Sequence, residues 1–131
     1  MLDNYQTVLR RYMEALRASD YATIKSLFAE DGTVITSAFL RLMPAREFFD
    51  RLGFATKGNV IAPIDVFLSS GDQQHAVAYF RYDWTVNDGT LITFNVMDLF
   101  EFRSGTDKVG ALTLIYDTHA IRQTAGNKYE S

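Results

Sequence analysis

The chain contains no cysteine, so disulfides, cysteine-ligated zinc and a thiol nucleophile are all excluded. Its two histidines, His75 and His119, do not form a ligand-like pair, and no metal site is expected. A basic excess is missing too. Against 13 lysines and arginines stand 16 aspartates and glutamates, for a formal charge of −3, so nucleic acid is not an expected partner. No apolar run approaches the roughly 20 residues of a membrane helix. The polar, charged stretch from Met1 to Arg11 lacks the apolar core of a signal peptide. A soluble cytoplasmic protein without membrane contact is the expectation, and there is no internal repeat, linker or low-complexity segment. What is present is 131 residues, 47% of them hydrophobic, which suits one domain over 1–131 with a substantial core.

The first half of the chain has helical periodicity. Tyr5, Leu9, Tyr12 and Leu16 recur at helical spacing within 4–18, and Arg10, Arg11, Glu14 and Arg17 lie off that stripe. Ser19-Asp20 offers a cap for a second helix carrying Ile24, Leu27 and Phe28. That helix is expected to stop near Gly32, which makes Glu30-Asp31-Gly32 a helix end. Thr33 to Phe39 reads as a short strand. Pro44 suits the first turn of a third helix with Phe48, Phe49 and Leu52 on its apolar face and Gly53 as its stop. Phe54 to Asn59 reads as a loop.

After residue 59 the period becomes two. Val60 to Ser69 is one strand, and Pro63 within it demands an edge position or a bulge. Gly71-Asp72 turns the chain. Ala76 to Val86 is the next strand, with Ala78, Phe80, Tyr82 and Trp84 on one face and Val77, Tyr79, Arg81, Asp83 and Thr85 on the other. Asn87-Asp88-Gly89 is a strong hairpin signal, leading into a strand over 90–103. Ser104-Gly105 turns again, and Val109 to Arg122 is the last strand, followed by a polar tail. Helices first and a meander of long strands after them argue for an α+β fold, with three N-terminal helices packed on the concave face of a strongly bent, mostly antiparallel sheet. Such a sheet encloses a cone, and strand parity lines it with Phe80, Tyr82, Trp84, Phe94, Val96 and Phe100. One carboxylate, Asp98, stands on that same apolar face between Val96 and Phe100.

In this order of elements, several segments carry a resemblance. They are Arg11-Tyr12-Met13-Glu14-Ala15-Leu16, Ser19-Asp20, Leu27-Phe28-Ala29-Glu30-Asp31-Gly32-Thr33-Val34, Asp88-Gly89, Val96-Met97-Asp98-Leu99-Phe100, Lys108-Val109 and Ile115-Tyr116-Asp117. The chain resembles the NTF2-like superfamily, in its SnoaL-like and ketosteroid isomerase-like branch, over roughly residues 5 to 122. The resemblance implies a conical α+β barrel, a pocket under the first helices, and homodimers through the outer sheet face. It does not imply a single activity. It implies that Tyr12 and Asp98 hold the positions of a helix tyrosine and a protonated strand aspartic acid that donate to a developing oxyanion. An apolar wall raises a carboxyl pKa, and a neutral acid can donate. It also implies pocket walls at Leu16, Phe28, Phe80, Tyr82, Trp84, Phe94, Val96, Leu114 and Tyr116. The general base of the isomerase branch falls on Thr36, which cannot take a proton at neutral pH, and the carboxylate of the cyclase branch falls on Leu114.

Two functional readings follow. In the first, the protein binds a small, largely apolar carbonyl compound, polyketide- or steroid-like, and isomerises, cyclises or dehydrates it without a cofactor, with Tyr12 and Asp98 polarising the ligand oxygen. The base would then be ionised Asp98, or Asp117 if a β-bulge turned it inward. In the second, the domain is a non-catalytic small-molecule binder or dimerisation module. Asp98 then becomes an orienting or purely structural buried acid, and Tyr12, Tyr82 and Trp84 become core residues. Leu112, Leu114 and Tyr116 point one way and Ile115, Asp117 and His119 the other, so without a bulge Asp117 and His119 face outward. Asp65 and Asp83 read as outer-face charges. The outer face mixes Tyr79, Met97, Leu99 and Ile115 with Arg81, Asp83 and Asn95, a composition that suits a homodimer interface better than a solvated sheet face.

Overall fold

The pairing of the first long strand with the last one sets the architecture. The computed structural model describes residues 2–37, 41–71 and 74–118. In chain order the elements are α1 (Leu2–Arg17), α2 (Tyr21–Ser26), β1 (Phe28–Thr36), β2 (Met43–Pro44), α3 (Ala45–Ala55), β3 (Thr56–Leu68), β4 (His75–Val86), β5 (Leu91–Phe102) and β6 (Val109–Tyr116). They form one six-stranded sheet of order β2-β1-β6-β5-β4-β3. Every neighbouring pair is antiparallel except β1 and β6, which run parallel. Helix α1 lies against β3 and β4, α2 bridges α1 and α3, and α3 packs on β1. The expected α+β cone is therefore present.

The core follows the two periodicities. Helix α1 buries Tyr5, Val8, Leu9, Tyr12, Met13, Ala15 and Leu16. Burial of each large side chain of that stripe contributes about 1.5–3 kcal/mol. On β4 the buried set is Ala76, Ala78, Phe80 and Tyr82, and on β5 it includes Val96, Asp98, Phe100 and Phe102. Ala76 and Ala78 are small, so the helical layer can sit close over this part of the sheet. Aromatic rings fill the space between the layers: Tyr5 stacks on Phe102 at 3.9 Å, and Phe49 meets Phe28 at 5.5 Å.

The structure corrects two boundaries. Helix α2 ends at Ser26, not near Gly32, and Glu30-Asp31-Gly32 lies inside β1. Leu27 and Phe28 do fall at helical spacing, but tertiary pairing overrides it. The Val109 amide donates to Leu27 O at 3.0 Å, and Phe28 pairs with Val109. The ladder is irregular between Phe28 and Thr33, and a Cβ on Gly32 would come within 3.0 Å of Ala29 O and 3.1 Å of Val109 O. A side chain there would require those carbonyls to give by a few tenths of an ångström. The second correction concerns 54–59, expected as a loop. Helix α3 runs through Gly53 to Ala55 and β3 starts at once, because Thr56 closes the helix by donating from its hydroxyl to Leu52 O at 2.6 Å.

Pro63 sits as anticipated. Strand β3 is an edge strand, and its register with β4 shifts between Pro63 and Asp65. Pro44 immediately precedes α3. The expected ends of two strands, at Phe39 and Arg122, lie outside the described residues, as do Asp72, His119 and the polar tail.

Candidate functional site

Asp98 stands at the middle of β5, opposite Ala78 of β4 and Leu114 of β6. Alternation along β5 turns it inward with Val96 and Phe100, and it is 1% exposed. Tyr12 comes from α1, whose apolar stripe faces the sheet. Its ring is held edge-on by Phe100 at 4.9 Å and Phe49 at 6.2 Å. The Tyr12 hydroxyl donates to the Asp98 carboxyl. The structure thus brings together the two residues that the sequence nominated, from α1 and β5, which lie far apart in the chain.

The electrostatics of this pair follow from burial. Loss of water pushes the Asp98 carboxyl up to about 7, against a weaker opposing pull from the Tyr12 hydrogen bond. Burial, and then the neighbouring Asp98 charge, hold the Tyr12 phenol well above its ordinary range. Near neutral pH, Asp98 therefore exchanges between an acid that donates a hydrogen bond and a carboxylate that accepts a proton. One of its oxygens, Oδ1, is buried with no hydrogen-bond partner among the described residues.

Further polar groups flank the pair, and the sequence had not singled out most of them. Tyr21 (α2) buries a hydroxyl, and Asn59 (β3) an Oδ1, without a partner among the described residues. The Tyr82 (β4) hydroxyl stands beside that of Thr56; burial raises the Tyr82 phenol above its ordinary range, the Tyr21 and Asp98 charges act in the same direction, and the Thr56 contact opposes them weakly. Nearby, Trp84 Nε1 donates to Thr56 Oγ1 at 2.8 Å. No spacing signal marked Tyr21, which looks like an ordinary surface position at the start of a short helix. Thr56 and Asn59 fall in a stretch whose sequence reads as a loop.

The expected pocket walls divide into two groups. Leu16, Phe28, Phe80, Tyr82 and Val96 are all at most 7% exposed and belong to the core. Trp84, Phe94, Leu114 and Tyr116 are only partly buried and pack on its rim. With Tyr82 they make a continuous aromatic arc across three strands: Trp84 stacks on Tyr82 at 6.1 Å, Tyr82 meets Phe94 at 5.5 Å, and Phe94 meets Tyr116 at 4.9 Å. A surface cleft of about 210 Å³ lies elsewhere, between α1 and β3, lined by Arg10, Met13, Glu14, Arg17, Ile61 and Pro63. None of the nominated site residues lines it.

The alternative bases stand as follows. Thr36 is buried on β1, opposite Leu114. Asp117 is exposed. The bulge in β6 lies at Gly110, where Phe102 pairs with Val109 and Glu101 with Ala111, and from there to Tyr116 the ladder is regular. No bulge turns Asp117 inward, and the reading of it as a pocket base is withdrawn. His119 lies outside the described residues. Among the described residues no three His, Asp or Glu side chains are grouped to hold a metal ion, and no helix is long and apolar enough to cross a membrane.

Solved structures share this fold. PrhC from Penicillium brasilianum superposes with a TM-score of 0.77 at 9% identity, over 93% of this chain and 85% of that one. TerC, co-crystallised with polyporic acid, gives 0.73 at 17% identity over 92% and 96%. A protein with a ketosteroid isomerase-like fold from Catenulispora acidiphila, in complex with trimethylamine, gives 0.72 at 15% identity over 88% and 89%. No curated protein matches the chain in sequence. The family model of the SnoaL-like domain matches residues 9–108, most of the chain. The protein is a member of the SnoaL-like domain family, with an NTF2-like cone.

Proposed function

We propose that the protein binds a small, flat, largely apolar carbonyl or phenolic compound against the arc of Trp84, Tyr82, Phe94 and Tyr116, with the ligand oxygen at Asp98. The observation that carries this is Asp98 itself: fully buried on an apolar face, held by Tyr12, with Oδ1 unpartnered. A buried polar atom without a partner costs about 1–3 kcal/mol, which a ligand oxygen recovers. As the neutral acid, Asp98 donates from Oδ1 while Tyr12 holds the other oxygen. A negative charge developing on the ligand oxygen strengthens both bonds. As the carboxylate, Asp98 removes a proton from carbon next to a carbonyl. The pKa of about 7 makes both forms available at neutral pH. Isomerisation, cyclisation and dehydration are the reaction types that need no more than this. The co-crystal of TerC with polyporic acid supports an oxygen-bearing, ring-shaped ligand for the fold. Because Asp98 is only 1% exposed, the ligand enters by parting side chains at the partly buried rim rather than by filling an open void.

A second reading, a binder without chemistry, is favoured by Thr36 and Leu114 standing where related folds carry a carboxylate base. The two readings separate on one variant. With naphthol as a probe of phenolic oxygen, Asp98→Asn should lower affinity at least tenfold, and with enone substrates it should abolish proton exchange at the carbon next to the carbonyl, followed by NMR in deuterium oxide. Binding that is lost without any exchange in the wild type leaves the non-catalytic binder. Binding unchanged in the variant removes Asp98 from the site altogether.

The proposal includes a homodimer through the convex sheet face. Met97 and Ile115 pair across β5 and β6 and are 41% and 48% exposed, with Tyr79 beside Met97 on β4. Adjacent exposed apolar side chains on one sheet face support an interface with a second copy.

A further inference from the structure

The cleft between α1 and β3 shares no residue with the Asp98 site. The helix contributes Arg10, Met13, Glu14 and Arg17 to it, and the strand Ile61 and Pro63, around about 210 Å³. Its floor is hydrocarbon: Met13 and Ile61 line it and are each 5% exposed. Pro63 adds a wall that has no backbone N–H to offer. The register of β3 shifts between Pro63 and Asp65, so the strand does not run regularly past the helix there.

The rim is charged, and unevenly so. Glu14 stands four residues after Arg10 and three before Arg17, so both arginines are its neighbours on the helix surface. It takes Arg17, whose Nη2 donates to Glu14 Oε1 at 2.9 Å. The Arg10 guanidinium is left without an ion pair among the described residues. Arg10 is exposed and brings a planar fork of unclaimed N–H donors to a recess with an apolar base. A pocket that combines an apolar floor with one convergent polar group has the makings of a small-molecule site.

We propose that this cleft is a second binding site, for a small organic monocarboxylate. Arg10 forks the carboxylate, and the ring or short chain behind it lies on Met13, Ile61 and Pro63. The planar guanidinium matches a carboxylate in two parallel hydrogen bonds. Two guanidinium groups and one carboxylate leave the rim a single positive charge, which a monoanion balances, whereas a dianion is repelled by Glu14. The volume suits one ring, since a cavity of about 150 Å³ accepts benzene.

The test titrates benzoate and its neutral isostere benzamide into the wild type and into Arg10→Gln, Glu14→Gln and Asp98→Asn, followed by NMR of side-chain methyl and backbone amide groups. Expected is saturable benzoate binding that shifts the Met13 and Ile61 methyl signals. Benzamide should bind about fivefold more weakly, the worth of one solvent-exposed charge contact. Arg10→Gln should erase that difference; Arg10 is exposed and pairs with nothing, so the variant folds as the wild type does. Glu14→Gln removes the competing carboxylate and should tighten benzoate by a similar factor. Asp98→Asn should leave benzoate binding unchanged. Equal affinity for the two probes in the wild type overturns the proposal, as does a benzoate advantage that survives Arg10→Gln. A Glu14→Gln variant that binds benzoate no tighter overturns the monoanion assignment. Shifts that gather at Trp84, Phe94 and Tyr116 and vanish in Asp98→Asn also overturn it, since the anion then occupies the aromatic arc and the cleft is empty. Absence of saturable binding by either probe removes the site.

Discussion

The two faces of strands β4 and β5 share backbone, length and ladder, yet they treat a carboxylate in opposite ways. On the concave face Asp98 has lost its water, accepts from Tyr12 alone and titrates at about 7. On the convex face Asp83 stays half in solvent and takes the Arg81 guanidinium at 3.0 Å. The same contrast appears at the turns. Asp20 and Asp88 are fully solvated and accept from Thr23 and Thr90, and those bonds hold their carboxyls below the usual range. Residue type therefore says little about what an aspartate does in this fold. Which face the period-two alternation gives it decides nearly everything, because desolvation outweighs a single hydrogen bond.

Four experiments would break or sharpen that contrast. The largest effect is expected from Phe100→Ala, which empties a fully buried ring next to Asp98 and Tyr12. It should cost about 3–5 kcal/mol in denaturant unfolding. A loss under 1 kcal/mol would mean that the concave layer is loosely packed.

The next is the pH profile of Asp98. Its folded pKa is raised, so the folded state binds the proton more tightly than the unfolded chain. Its contribution to stability is complete below the unfolded pKa, near 4, and is lost as pH rises through about 7. The loss is on the order of 4 kcal/mol at most. Urea midpoints of the wild type should fall across that window relative to Asp98→Asn, which lacks the proton and should stay flat. Parallel profiles for the two proteins would contradict a perturbed Asp98.

On the convex face, Met97→Asp should convert a dimer to a monomer in light scattering at micromolar concentration while shifting monomer stability by less than about 0.5 kcal/mol, as for an ordinary surface change. A wild type that already runs as one chain would remove the interface. The smallest effect is expected from Asp20→Ala, which deletes the α2 cap made to Thr23 N at 3.1 Å and Thr23 Oγ1 at 2.6 Å. About 1 kcal/mol is expected, read as a melting shift of a few degrees.

Much of this was legible in the sequence. The strand alternation that placed Phe80, Val96 and Phe100 inward also placed Asp98 inward, since a buried face leaves a strand no freedom of register. The helical stripe likewise delivered Tyr12. What the sequence hid depended on contacts between distant segments. Helix α2 stops at Ser26 because β6 arrives to pair with Phe28, an event no local pattern records. Tyr21 belongs to the polar cluster only because α3 offers it a glycine to lie on. Thr56 and Asn59 follow a helix directly with no turn residue to announce the strand, and so they read as loop. The donors around Asp98 are thus the part of the site that only three dimensions reveal.

The parallel pairing of β1 with β6 has a consequence for how the molecule comes into being. The Ser37 hydroxyl donates to Leu114 O across 77 positions of sequence, and the β1–β6 ladder joins the first strand to the last one among the described residues. During synthesis the helices and β1 emerge first, and β1 must wait for almost everything else before its long ladder exists. Its partner on the other side, β2, is only two residues long. Contacts of such high sequence separation slow folding, and a strand edge kept waiting is open to the wrong partner. The Tyr12–Asp98 pair closes between an early helix and a late strand, so the site is assembled among the last parts of the molecule. A nascent chain arrested before β6 should therefore expose β1 to chaperones and proteases.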